Sequence, residues 1–126
     1  MATTHNDAVR VVLDPAVIIH EVMSPLDRPV LKAWLNGHIV PVISRPILDH
    51  TLGFLAGFGI RRELLLTWAL WLSHRDKVHI VAAPSSSGTA KEDYVTACKD
   101  ADAAGVVTSR PQDFAGVTTL TPESLP

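Results

Sequence analysis

The chain has 126 residues, 47% of them hydrophobic, and a mean hydropathy of +0.21, which excludes a disordered chain and allows one domain with a sizeable core. A net charge of −2 and a pI near 6.3 exclude a general basic field, so any nucleic-acid contact needs a local patch or a metal that offsets carboxylates. A single cysteine, Cys98, excludes an internal disulfide.

In chain order, residues 1–8 are expected to be extended or disordered, and residues 9–126 to form one domain. The start is polar and lacks the layout of a signal peptide. Residues 9–13 (Val-Arg-Val-Val-Leu) make a β-branched run suited to a strand buried on both faces. Asp14-Pro15 stops it, and the pair predicts a helix that ends before Ser24-Pro25. Asp14 therefore has two readings: a plain helix cap, or a ligand-binding acid at the carboxyl end of a strand, where open α/β sheets collect ligands. A second helix is predicted over 29–36, with Pro29 near its start and Gly37 past its end. Residues 38–44 read as a strand, and Pro41 within it predicts an edge position or a bulge.

Ser44 can cap a third helix, with Pro46 in its first turn, Ile47, Leu48, Leu52 and Leu55 on its apolar side, and Gly57 and Gly59 at its end. A fourth, over 61–74, is apolar almost all round and should be deeply buried or face a partner. Arg61, Arg62 and Glu63 interrupt the apolar stretch 52–72, so no membrane span is expected and a cytoplasmic protein is. A strand follows at 78–82. The polar loop 84–88 lacks the pattern of a phosphate-cradling loop, and Thr89 to Glu92 matches a capping box. The helix so started should run to about Ala104, where Gly105 breaks it. Residues 106–108 read as a short buried strand, 109–116 as a loop holding Asp113, and 118–120 as a last strand.

Alternating strands and helices imply an α/β fold with a parallel sheet and right-handed crossovers. On it Asp14, Asp49, Asp93 and Asp113 all follow the carboxyl end of a strand, or lie in the next helix. Crowded carboxylates repel one another, and Mg²⁺ or Mn²⁺ relieves that repulsion and can activate water. Taken singly, each aspartate is also a helix cap, a helix-start acid or a turn residue. The six histidines show no paired ligand spacing, Cys98 reads as core, and Trp68 and Trp71 read as core or dimer contact.

Residues 11–19 (Val-Val-Leu-Asp-Pro-Ala-Val-Ile-Ile) resemble the opening Asp-x-Asn-Val-Leu motif of PIN domains. Residues 106–114 (Val-Val-Thr-Ser-Arg-Pro-Gln-Asp-Phe) and then Thr121-Pro122-Glu123 resemble their closing pattern, Val-Thr-x-Asn-x-x-Asp-Phe followed by Thr-Pro-Glu. Residues 44–52 are similar to the family's Ser-Pro-x-Leu-Leu-x-Glu helix. The resemblance implies a three-layer α/β/α fold with a central parallel sheet of four to five strands. It also implies a Mg²⁺- or Mn²⁺-dependent ribonuclease of the toxin–antitoxin type, with RNA as substrate and an antitoxin protein as partner; a homodimer is expected separately, from the apolar side chains of 64–72 in the fourth helix. Carried over residue by residue, it names Asp14, Asp93 and Asp113 as metal ligands, Asp49 or His50 as assisting groups, and Thr108 and Arg110 as substrate-positioning residues. Without a gap, the third acid would be Glu92 in place of Asp93. The chain departs from the family pattern at Ala16 (asparagine expected), His50 (glutamate expected) and Arg110 (acid or asparagine expected). Arg110 could take the place of a metal or point outward to RNA phosphate. Two rival readings follow: a catalytically lapsed PIN fold kept for binding or dimerisation, and an unrelated α/β regulatory domain binding a small anion near Ser85 to Thr89.

Overall fold

The computed structural model describes residues 8–24, 27–82, 90–114 and 116–125. The expected N-terminal segment, the loop 84–88 and the Thr89 half of the capping box lie almost wholly outside them. Five strands, β1 (Val9–Leu13), β2 (Ile39–Ile43), β3 (His79–Ile80), β4 (Gly105–Val107) and β5 (Thr119–Leu120), form one all-parallel sheet in the order β3-β2-β1-β4-β5. Five helices connect them: α1 (Pro15–Met23), α2 (Pro29–Leu35), α3 (Arg45–Gly57), α4 (Arg62–Ser73) and α5 (Ala90–Asp100). The fold is α/β, compatible with three layers. Val11, Val12, Val42, Val106 and Val107 are fully buried, as a sheet covered on both faces requires.

Local chemistry sets the boundaries. Asp14 caps α1 by accepting the Ala16 N–H on Oδ1 at 3.0 Å, and Ser44 Oγ accepts the Ile47 N–H at 3.3 Å at the start of α3. Gly37 follows α2 at φ 77° and Gly59 follows α3 at φ 78°, a left-handed turn that glycine enters without steric cost. Helix α5 ends at Asp100, short of the expected Ala104, and Asp102 beyond it adopts φ 51°. Gly105 belongs to β4 instead of merely breaking the helix. A Cβ there would lie 2.6 Å from the Thr118 carbonyl oxygen, so only glycine lets the chain before β5 approach so closely. Thr108 accordingly falls just past its strand. Asp113 lies in a 3-10 turn, Pro111–Asp113, within the expected loop.

The edge position predicted from Pro41 is overturned: β2 lies inside the sheet, paired with β1 through Val11 and Pro41. The proline is tolerated because β3 pairs only with Val42 and Ile43, leaving no ladder partner on that flank of Pro41. Helix α4 is buried on one side only. Trp68 and Leu72 are buried, whereas Leu66 and Leu70, 56% and 70% exposed, face outward.

A buried carboxylate also holds the start of α2. Glu21 Oε2 and Oε1 accept the backbone N–H groups of Val30 and Leu31, each at 2.8 Å. Arg28, at the N-cap of α2, makes no side-chain cap, so Glu21 satisfies those donors from the neighbouring helix.

Candidate functional site

Because every strand is parallel, the residues that follow β1, β2 and β4 gather at one edge of the sheet. There Asp14, Pro15, Asp49, His50, Gly53, Phe54, Lys91, Tyr94, Arg110, Asp113 and Phe114 line a cleft of about 430 Å³. Asp14, though nearly buried, is doubly held. Its Oδ1 bonds the start of α1, and its Oδ2 accepts the Thr108 hydroxyl at 2.8 Å. Thr108 Oγ1 in turn accepts the Arg110 backbone N–H at 3.0 Å, which ties the end of β4 to the end of β1.

Each carboxylate of the cluster has a cation or a proton donor of its own. The Arg110 guanidinium lies 4.0 Å from Asp14 Oδ2 and 3.5 Å from Asp113 Oδ2. Lys91 Nζ lies 3.6 Å from Asp113 Oδ1. Asp93, buried in the first turn of α5, accepts from His50 Nε2 at 2.9 Å. The His50 ring meets Tyr94 edge-on at 6.3 Å, and Tyr94 stacks on Phe114 at 6.1 Å with 9° between planes. Burial pushes the Tyr94 phenol well above its ordinary value of 10.0; a hydrogen bond with Thr51 opposes the shift, and the charges of Asp14 and Asp93 add to it.

The sequence-predicted residues separate into two groups. Asp14, Thr108, Arg110 and Asp113 form one connected network, and His50 and Asp93 form a pair beside it. Asp93 turns inward and Glu92 is exposed, so Asp93 is the acid of α5 that faces the site. His50, one position on from Asp49, points to Asp93; Asp49 is largely exposed and pairs with Arg45 at 3.2 Å, one turn earlier on the same helix. Ala16 contributes only its backbone N–H. Sequence reasoning missed Lys91 and Tyr94. Their spacing of three, flanking Asp93 on a helix, was the signal that could have found them.

Mg²⁺ or Mn²⁺ needs several carboxylate or neutral oxygen ligands turned on one point. Among the described residues no group of three His, Cys, Asp or Glu side chains is placed to hold a metal ion, so the expected trio of Asp14, Asp93 and Asp113 is not assembled. The charge arrangement gives the reason: guanidinium, ammonium and imidazole groups face the oxygens that a divalent ion would need, so the residues as arranged do not fit it. The described residues also contain no helix long and apolar enough to cross a membrane. Comparison with protein-family models, curated proteins and solved structures returns no match to this chain.

Proposed function

We propose that this chain is a PIN-like domain that works by binding, with metal-dependent ribonuclease activity weak or lost. The observation that carries this reading is Arg110, whose guanidinium reaches both Asp14 and Asp113 in the position where the family pattern has an acid or asparagine. RNA is the expected polyanion at the cleft, where Lys91 and Arg110 are more than half exposed and the partly exposed Phe54 supplies an aromatic face. The outward Leu66 and Leu70 of α4 support a homodimer or an antitoxin-like protein partner. A cytoplasmic location accords with the single free cysteine. The competing reading, an active Mg²⁺- or Mn²⁺-dependent nuclease, draws its support from the two buried aspartates, Asp14 and Asp93, which keep the family's positions.

Calorimetry with Mn²⁺ separates the two. Removing the cation and restoring the missing amide, in Arg110→Asn with Ala16→Asn, should tighten Mn²⁺ binding about tenfold, equivalent to ~1.4 kcal/mol, a modest gain because half-exposed Arg110 is screened by water. Native protein that binds Mn²⁺ as tightly as the double variant, and cleaves RNA in a manner abolished by Asp14→Asn, would overturn the binding reading.

A further inference from the structure

A second concavity lies away from the sheet edge, between α2 and α4. It encloses about 360 Å³, and Trp68, Trp71, Leu31 and Leu35 make its walls, with Arg28 and Lys32 beside them. Trp68 and Trp71 cluster with Trp34, the third tryptophan of the chain. Trp34 lies 6.1 Å from Trp68 and 6.0 Å from Trp71, and Trp68 and Trp71 are 6.0 Å apart, ring centre to ring centre. Trp34 is spoken for: its indole N–H donates to the Lys77 carbonyl oxygen at 2.7 Å. The indole N–H groups of Trp68 and Trp71 have no protein acceptor among the described residues. No fully buried side-chain nitrogen or oxygen there lacks a partner, so both donors reach solvent. For Trp68, only 5% exposed, the nitrogen is then part of the little that shows.

The charge beside this apolar wall is of one sign. Arg28 is fixed by its Nε, which donates to the Ser24 carbonyl oxygen at 2.7 Å, and neither Arg28 nor Lys32 makes an ion pair among the described residues. A ligand for such a groove needs an apolar body and one negatively charged acceptor group. A cationic ligand would meet Arg28 and Lys32 with like charge and would bring no acceptor to the indole N–H groups.

We propose that the groove binds a free amphipathic carboxylate, an apolar chain of roughly ten carbons ending in one carboxyl group, with the chain on Trp68 and Trp71 and the carboxylate at Arg28 and Lys32. The site is independent of the cleft and of the function proposed for it.

Intrinsic fluorescence tests this directly, because every tryptophan of the chain belongs to this cluster. Decanoate, titrated below its micelle concentration, should change the emission saturably, and decyltrimethylammonium should bind at least tenfold more weakly. Lys32→Glu, an exposed substitution, should weaken decanoate at least tenfold while leaving the circular dichroism spectrum unchanged. Arg45→Ala, an exposed substitution on α3 away from the groove, should leave the titration as it is. Equal affinity for the anion and the cation, or no saturable change with decanoate, would overturn the proposal. So would co-sedimentation with anionic lipid vesicles, or capture of an acidic leucine-rich peptide, by a protein that ignores monomeric decanoate.

Discussion

Helix α1 carries a buried carboxylate near each end, and the two are held in opposite ways. Glu21, only 1% exposed, is sealed from solvent and bonded to the backbone of α2. Asp14 is almost as buried, yet it lines an open cleft and stands beside the Thr108 hydroxyl and the Arg110 guanidinium. Burial and satisfied hydrogen bonds are common to both, so neither property marks a functional site. What differs is access and the neighbouring charge: Glu21 closes a helix start, and Asp14 faces a space that a ligand can enter.

The largest test of that difference is Glu21→Ala. It leaves the Val30 and Leu31 N–H groups without their acceptor in a sealed position and should cost about 3 kcal/mol in urea unfolding. RNA or Mn²⁺ titrations at the cleft should not change. A loss under about 1 kcal/mol would mean that water replaces the carboxylate and the position is not sealed. Asp14→Ala comes next. It removes the cap of α1 and the acceptor for Thr108, and should cost about 2 kcal/mol. Unlike the Glu21 variant, it should also alter binding at the cleft.

A smaller effect separates the two through pH. Burial raises the Glu21 pKa above its ordinary 4.5; the Leu31 and Val30 N–H groups oppose this, nearby Asp27 adds to it, and His20 lowers it. A carboxyl group whose folded pKa is raised favours the folded state while protonated. That contribution is fully present below the unfolded value and is lost as pH rises through the folded one. The native chain should therefore lose stability relative to Glu21→Gln as pH climbs from 4.5, read from urea midpoints at several pH values. A difference that stays constant with pH would remove burial as the dominant influence. The smallest effect belongs to Arg45→Ala. Its partner Asp49 is exposed, so stability should move by no more than about 0.5 kcal/mol and cleft binding hardly at all. A large loss of RNA binding in this variant would give Asp49 and its pairing with Arg45 a part in binding at the cleft that Asp49 lines.

The legibility of these features in the sequence follows the range of their contacts. Asp14 is readable because strand, cap and helix lie within a few residues of one another, as do Ser44 and its helix. The pairing of His50 with Asp93 spans 43 residues and depends on how α3 and α5 meet, which no local pattern encodes. Pro41 misleads for a related reason: edge or interior is a property of strand order, and the short reach of β3 relieves the proline. Glu21 sits within an apolar helix, and its role becomes visible only beside a following helix whose N-cap residue, Arg28, cannot cap it.

The bond between Asp14 and Thr108 joins positions 94 residues apart, and β1 meets β4 across the same distance. During synthesis at about 5–20 residues per second, Asp14 emerges on the order of ten seconds before its partner. Throughout that interval one flank of β1 is an unpaired apolar strand edge, a surface on which nascent chains aggregate or chaperones settle. The cleft is thus completed late, when β4 closes against β1, and any fragment ending ahead of Thr108 carries Asp14 without the group that orients it.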